Sequence, residues 1–440
     1  MQRFIRIWLG QLVSTIGSYM TVFALIFWVW ETTGSATSLA LVTFFSQLPR
    51  IIVTPLAGII VDRFPRKQLM ILGDVVAMLC TMAIALLYGG DRLQIWHLYT
   101  AVAVYGCFGQ IQTLAYSTSI ALLVDKKDYT RAESMVAAVN YSGAIFSPIL
   151  AGSLYPIIGL QGIILIDLST FLMAFVILLA STIPPPDPDA PNAGRPRVDW
   201  SNLTFGFRYI ASKPGLIAMV LAFSCFAFPS DIGRALYNPM ILARSGGEAQ
   251  ALGAVTTAAG LGGVLGALLV SWKGGFQRRI HGMLLGFAGT GLCKIGLGLG
   301  QTVAVWIPAH FAATLLVPLY YSSSNAIWYA KVPPSLQGRV LAADQMIGLV
   351  IGALAPLLAG PLADFVFEPA MQVDGWLSPV FGPILGTGEG AGIALLYTLT
   401  AALMLLVGLG GYGFRTLRSV ETMLPDHALE PSLSDKGIKD

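Results

Sequence analysis

Charge is what this sequence is short of. Only 11% of its 440 residues are Asp, Glu, Lys or Arg, against about 25% in soluble domains, while 55% are hydrophobic. Such a balance excludes an ordinary water-soluble globule and makes hydrocarbon the main solvent. Paired cysteines are missing as well. Cys80, Cys107, Cys225 and Cys293 all fall inside apolar runs and form no close pair, so they read as small core residues rather than a disulfide framework or metal site. The signatures of enzyme chemistry are absent too, with no G-x-x-x-x-G-K-[ST], no H-E-x-x-H and no G-x-S-x-G. The Gly-Leu-Gly-Gly run at 260–263 lies in an apolar stretch and follows no strand, so it is no dinucleotide fingerprint. No catalytic residue, cofactor, metal or nucleic-acid partner is expected.

What the sequence has is long apolar runs. Counting those of about 20 residues gives twelve, with limits near 4–30, 37–61, 68–88, 95–123, 133–157, 161–183, 215–242, 249–272, 281–300, 303–330, 341–367 and 390–413. This is the pattern of an all-α polytopic membrane protein. Arg3 and Arg6 precede the first run and no small-residue cleavage site follows it, which predicts a retained span rather than a signal peptide. With the N-terminus inside, 21 of the 26 Lys and Arg fall on the cytosolic side. Arg92 and Arg244 fall outside, and Arg50, Arg234 and Lys294 lie within spans. The bias predicts both termini in the cytosol, in the plasma (inner) membrane.

Pro184 to Lys213 opens with PPPDPDAPNAGRPR, a stiff extended linker. Trp200, Leu203, Phe207 and Ile210 then share one helical face, which predicts a short amphipathic helix on the inner leaflet. An internal repeat divides the chain at the same place. A shift of 208 residues lays Arg131 on Arg339, Pro148 on Pro356 and Gly152 on Gly360. The expected units are an N-terminal half at 1–183, a linker at 184–214, a C-terminal half at 215–414 and a tail at 415–440.

Gly58 to Lys67 reads GIIVDRFPRK, with Asp62, Arg63, Arg66 and Lys67 in a hairpin too short for a domain. On its own it is a charged turn anchoring two spans. Its spacing, G-x-x-x-D-R-x-x-R-K, resembles the signature loop of the major facilitator superfamily. That resemblance implies the major facilitator fold, twelve transmembrane helices in two pseudo-symmetric six-helix halves, and transport by alternating access. Span five carries Gly143, Ser147, Pro148, Ala151 and Gly152, similar to the antiporter motif G-x-x-x-G-P-x-x-G-G of the drug-exporting branches, with Ser147 and Ala151 in place of glycines. Read without the resemblance, these small residues are helix packing. The segments 124–134 and 332–339, with Arg131 and Arg339, resemble the turns of macrolide-efflux and enterobactin-exporter-like members, which implies the drug:proton antiporter branch. Span four departs from many proton-coupled exporters by having no arginine, and no arginine follows Asp74 by a helical turn.

Charges within spans each need an account. Arg50, beside Pro49, is expected either to meet an anionic group or to bond carbonyls freed by the prolines. Asp231 and Arg234 share a helix face and are candidates for coupling or substrate contact, or else form a neutral intrahelical pair. Lys294 is expected to snorkel to the outer end, and Asp167 to be solvated there. Gln110, Tyr320 and Asn325 join the candidates, with Gln11, Tyr19, Tyr116 and His310 on the same expected cavity spans. So few polar groups suit a bulky amphiphile. The function that follows is a monomeric proton-coupled exporter of amphiphilic small molecules such as a drug or siderophore. A proton-coupled importer of a small metabolite, or a lysolipid transporter, stays open on the same fold. At the cytosolic seam, Asp62 is expected to cap the start of span eleven near Arg339, a one-sided catch, because no Asp or Glu occurs from Ala249 to Ala343.

Overall fold

In hydrocarbon a backbone amide has no water to bond, so apolar runs of this length must close their hydrogen bonds within themselves as helices. The computed structural model describes residues 2–125, 128–181 and 200–423, and among these every regular element is helical. They are α1 (Gln2–Thr33), α2 (Ala36–Arg63), α3 (Arg66–Gly89), α4 (Ile95–Leu123), α5 (Tyr129–Ala180), α6 (Trp200–Ala211), α7 (Pro214–Arg244), α8 (Ala249–Lys273) and α9 (Arg279–Leu299). There follow α10 (Val303–Leu315), α11 (Val317–Lys331), α12 (Pro334–Leu362), a π-helical turn (Ala363–Phe367), α13 (Glu368–Ala370), α14 (Ser378–Leu385) and α15 (Ala391–Gly410). Two short turns of helix, α16 (Arg415–Arg418) and α17 (Val420–Met423), end the described chain.

Among the described residues ten helices are long and apolar enough to cross a membrane, counting α10 with α11 and α12 with α13 as continuous. The chain is therefore a polytopic α-helical membrane protein. As one rod, the 52 residues of α5 would reach about 78 Å, more than twice the hydrocarbon thickness of about 30 Å. Gly159 resolves the mismatch. Its φ of 64° and ψ of −173° lie where only glycine is at ease, and they break the rod into 129–158 and 160–180. The 29-residue α4 is not one of the ten, since Gln110, Gln112 and a row of hydroxyls dilute its apolar character.

Helices up to residue 181 pack on one another, as α1 on α5 and α2 and α3 on α4. Those after 213 do the same, as α7 and α9 on α15 and α8 on α10. Two seams, α2 with α12 and α5 with α8, join the groups. The twelve expected runs overlap these helices closely, but α12 starts at Pro334, two turns before the predicted 341. Proline at the first helical position, where its missing amide costs nothing, sets that start.

Most of the linker, 182–199, lies outside the described residues. The amphipathic helix is present as α6, but it packs on α12 and α7 rather than resting on lipid alone. Gly206 sits against the Arg339 carbonyl, where a Cβ would collide, and Ile210 is buried with Leu216 and Met219 of α7. The side chains of Trp200 and Leu203 lie outside the described set.

Candidate transport site

The α2–α12 seam is fastened at one end by a carboxylate. Asp364, on the π-helical turn after α12, accepts hydrogen bonds from Ser35 Oγ at 2.7 Å, the Ala36 amide at 3.0 Å and the Thr37 amide at 2.8 Å. These amides open α2 and have no partner inside it, and the end of the helix carries partial positive charge. Gly360, one turn earlier, brings α12 against Thr37 and Ala40. Asp364 is not among the residues expected from sequence to matter. Its only local signal is an acid at the end of an apolar run, since its partners are more than 320 residues away.

The α5–α8 seam closes the same end by close approach of backbone. Gly152 faces the Ala249 carbonyl and Gly253 the Pro148 carbonyl, while Gly260 lies on Ala144 and Ile145. One hydroxyl bond, Thr257 Oγ1 to the Ile145 carbonyl at 3.1 Å, crosses it. The antiporter-like residues thus face two ways. Pro148 and Gly152 meet α8, whereas Gly143 faces Thr15 and Tyr19 of α1 and buried Ser147 donates to the Ile16 carbonyl at 2.9 Å. Ser147, which stands where the motif has glycine, adds a bond to α1, and Ala151 beside it is wholly buried.

At the other end of these helices Arg63, Arg131 and Arg339 are exposed. Arg339 lies over the Phe205 ring of α6, 5.6 Å from its centroid, a cation–π distance. Arg66 donates to the Thr118 carbonyl at 2.6 Å and Lys67 to the Leu179 carbonyl at 2.9 Å. Both cations thereby tie the short α2–α3 turn to helices of their own group. The side chain of Asp62, and Gly58 beyond its place in α2, lie outside the described set.

Each group also holds charges within its apolar helices. Asp231 and Arg234, one turn apart on α7, form an ion pair at 3.0 Å, with side-chain exposures of 21% and 53%. The pair is formed and still open to the interior, next to Gly352 of α12. Lys294 of α9 does not snorkel outward as expected. Its Nζ donates to Ser230 Oγ at 3.3 Å, bringing a second cation beside Asp231. The expected outer route loses because an inward hydroxyl lies within reach of the flexible stem. Arg50 and Gln110, chosen separately from sequence, meet: Nε and one terminal nitrogen of Arg50 donate to Gln110 Oε1 at 3.4 and 3.3 Å.

Other expected residues fall elsewhere. Tyr320 is buried in an aromatic cluster with Phe223, Phe226 and Phe287, while its neighbour Tyr321 is exposed. Asn325 is exposed as well. Asp167 is not solvated but 1% exposed, and it accepts a hydrogen bond from Ser18 Oγ at 3.3 Å. The packing of α5 on α1 covers it, which distance from the membrane surface could not reveal. Asp74 is also buried and accepts from the Gln112 amide. The His310 ring lies tilted against that of Tyr237, 4.5 Å between centroids.

Two groups of apolar helices joined along two seams, each with charged side chains among its helices, are the architecture of a polytopic membrane protein. The sequence profile of the Major Facilitator Superfamily matches residues 7–356, and the chain belongs to that superfamily. It is a secondary transporter that moves small molecules across a membrane. The chain is 25% identical over 365 residues to macrolide efflux protein A of Streptococcus pyogenes, covering 80% of this chain and 89% of that protein. It is 24% identical over 378 residues to the multidrug efflux pump Tap of Mycolicibacterium fortuitum, covering 81% and 88%. Its fold is similar to that of a bacterial homolog of the human lysosomal transporter Spinster in an inward-facing, unoccupied conformation, with a TM-score of 0.65 at 15% identity over 95% of both chains.

Proposed function

We propose that the protein is a proton-coupled exporter of amphiphilic small molecules, built of twelve spans in two six-helix halves with both termini in the cytosol. In this reading 1–183 and 215–414 are the halves and the two rods of α5 are separate spans. The end fastened by Asp364 then faces outward, and the state described is open to the cytosol. The observation that carries the reading is the carboxylate fastening at one end of the α2–α12 seam together with a partly exposed ion pair on α7, which suits alternating access. Export is supported by the relatives named as efflux proteins. Coupling is assigned to Asp231, whose pairing with Arg234 beside Lys294 a single proton would change. Everted membrane vesicles with an imposed proton gradient and a panel of amphiphilic dyes test the proposal. Gradient-driven uptake is expected, and uptake confined to right-side-out vesicles would make the protein an importer.

Arg50 takes the substrate's acidic group in this scheme. Gln110 occupies one edge of its guanidinium and leaves the group exposed. Arg50→Lys keeps the charge but loses the planar fork. It is expected to weaken binding of anionic amphiphiles about tenfold, the worth of one charge-assisted bond, and of neutral ones little. Equal losses in a fluorescence binding assay would leave Arg50 a structural residue.

A further inference from the structure

A second concentration of cations lies away from the interior. At the end of the bundle where α9 starts and α11 stops, a cavity of about 450 Å³ is walled by Arg278, Arg279, Lys331 and Arg418. Among the described lining residues Glu421 of α17 is the one acid, and its carboxylate is already committed. Its two oxygens accept the amides of Arg279 and Ile280 at 3.2 and 3.1 Å, filling the start of α9. The other described bonds place Lys331 and Arg279 on main-chain carbonyls. Lys331 Nζ donates to the Glu421 carbonyl at 2.5 Å, and Arg279 donates to the Ala326 carbonyl at 2.9 Å. Arg278 and Arg418 stand exposed at the mouth.

The segments leading into these walls carry large exposed aromatics. Trp272 ends α8 at 80% exposure, Phe276 lies in the α8–α9 turn, and Phe414 precedes α16 at 69%. Aromatic side chains at helix ends belong at the level of lipid headgroups, so the cavity opens at that depth. Two exposed guanidinium forks match the spacing of phosphate oxygens. Basic pockets between helix ends are suited to anionic headgroups.

We propose that this cavity binds a phosphate group, supplied by an anionic phospholipid headgroup or by soluble phosphate, between Arg278, Arg279 and Arg418. The bound group would tie the start of α9 to the short helix α16, adding to the Glu421 bonds and to the packing of Leu417 and Val420 on Ile280. The site lies wholly among helices after 213 and does not depend on the direction or substrate of transport.

The test uses the full-length protein in nanodiscs of phosphatidylcholine, with and without phosphatidylglycerol, and in phosphatidylcholine with inorganic phosphate against chloride at equal ionic strength. Thermal unfolding and lipid retention by native mass spectrometry are read for the wild type and for the Arg278→Gln/Arg418→Gln variant. Both substituted side chains are exposed, so the variant should unfold as the wild type does in pure phosphatidylcholine. Phosphatidylglycerol is expected to raise the wild-type unfolding temperature, and its retention is expected to fall at least about tenfold in the variant, as for two lost basic contacts. A shift with inorganic phosphate that the variant loses would uphold the site and assign it to a soluble anion. No shift with either, or equal shifts in variant and wild type, would overturn the proposal. Should the double variant fail to fold, Arg418→Gln alone is read in the same way.

Discussion

Asp364→Asn is expected to move the population away from the state described, opening the end of the bundle that Asp364 fastens. Asparagine keeps the shape and one acceptor oxygen but loses the charge, and its amide group cannot accept the Ser35 hydroxyl or the Thr37 amide, both bound by Oδ2 in the native protein. A charge at a helix start with several amide bonds contributes on the order of 1–3 kcal/mol. Its loss shifts the balance by up to about a hundredfold. Spin labels at Thr32 and Gln372, both exposed near this end, would report a longer distance in the variant. An unchanged distance distribution in folded protein would reduce Asp364 to a local cap. The proposed catch at Asp62 predicts the reverse sign, because it closes the opposite end, so Asp62→Asn should lengthen the residence in the present state. The two variants together should nearly cancel.

The second large effect is expected at Asp231. Asp231→Asn leaves Arg234 and Lys294 as two cations with no acid between them, the ion pair at 3.0 Å and the approach of Lys294 to Ser230 both losing their anchor. Removing one partner of a partly buried pair costs more than the pair itself contributes. If Asp231 carries the coupled proton, transport driven by a proton gradient should fall to background. Exchange of labelled for unlabelled substrate, which needs no net proton movement, should persist. Retained gradient-driven transport would remove Asp231 from coupling. Loss of both activities would make the residue structural, and Arg234→Gln in the same background should then restore stability by removing the unpaired cation.

The spans were legible because each is a local property of the chain. An apolar run of sufficient length must become a helix in lipid, whatever it packs on, and the turn at Gly159 was legible as the gap between two such runs. The small residues of α5 were legible as contact makers, although not that Gly143 and Gly152 serve different neighbours. Pairings across hundreds of residues were not legible. Nothing near Asp364 announces Ser35, and nothing near Lys294 tells an inward rotamer from an outward one. Asp167 looked solvated because depth along a helix is written in the sequence, whereas the covering neighbour is not. Tyr320 and Tyr321 differ by one position and so by about 100° of helix rotation, enough to exchange core for interior surface.

The two seams that close one end also differ in what their parting demands. On the α5–α8 side, glycine faces carbonyl and, among the described residues, one neutral hydroxyl bond crosses, so the helices can roll against each other with contact surrendered gradually. On the α2–α12 side, an ionised group leaves three donors together. The first behaves as a bearing and the second as a trigger: one sets the axis of the motion, and the other concentrates its resistance at a point. Agents that act on ionised groups should therefore alter how fast the end opens without altering the path it takes, whereas a bulky side chain at Gly253 should alter the path.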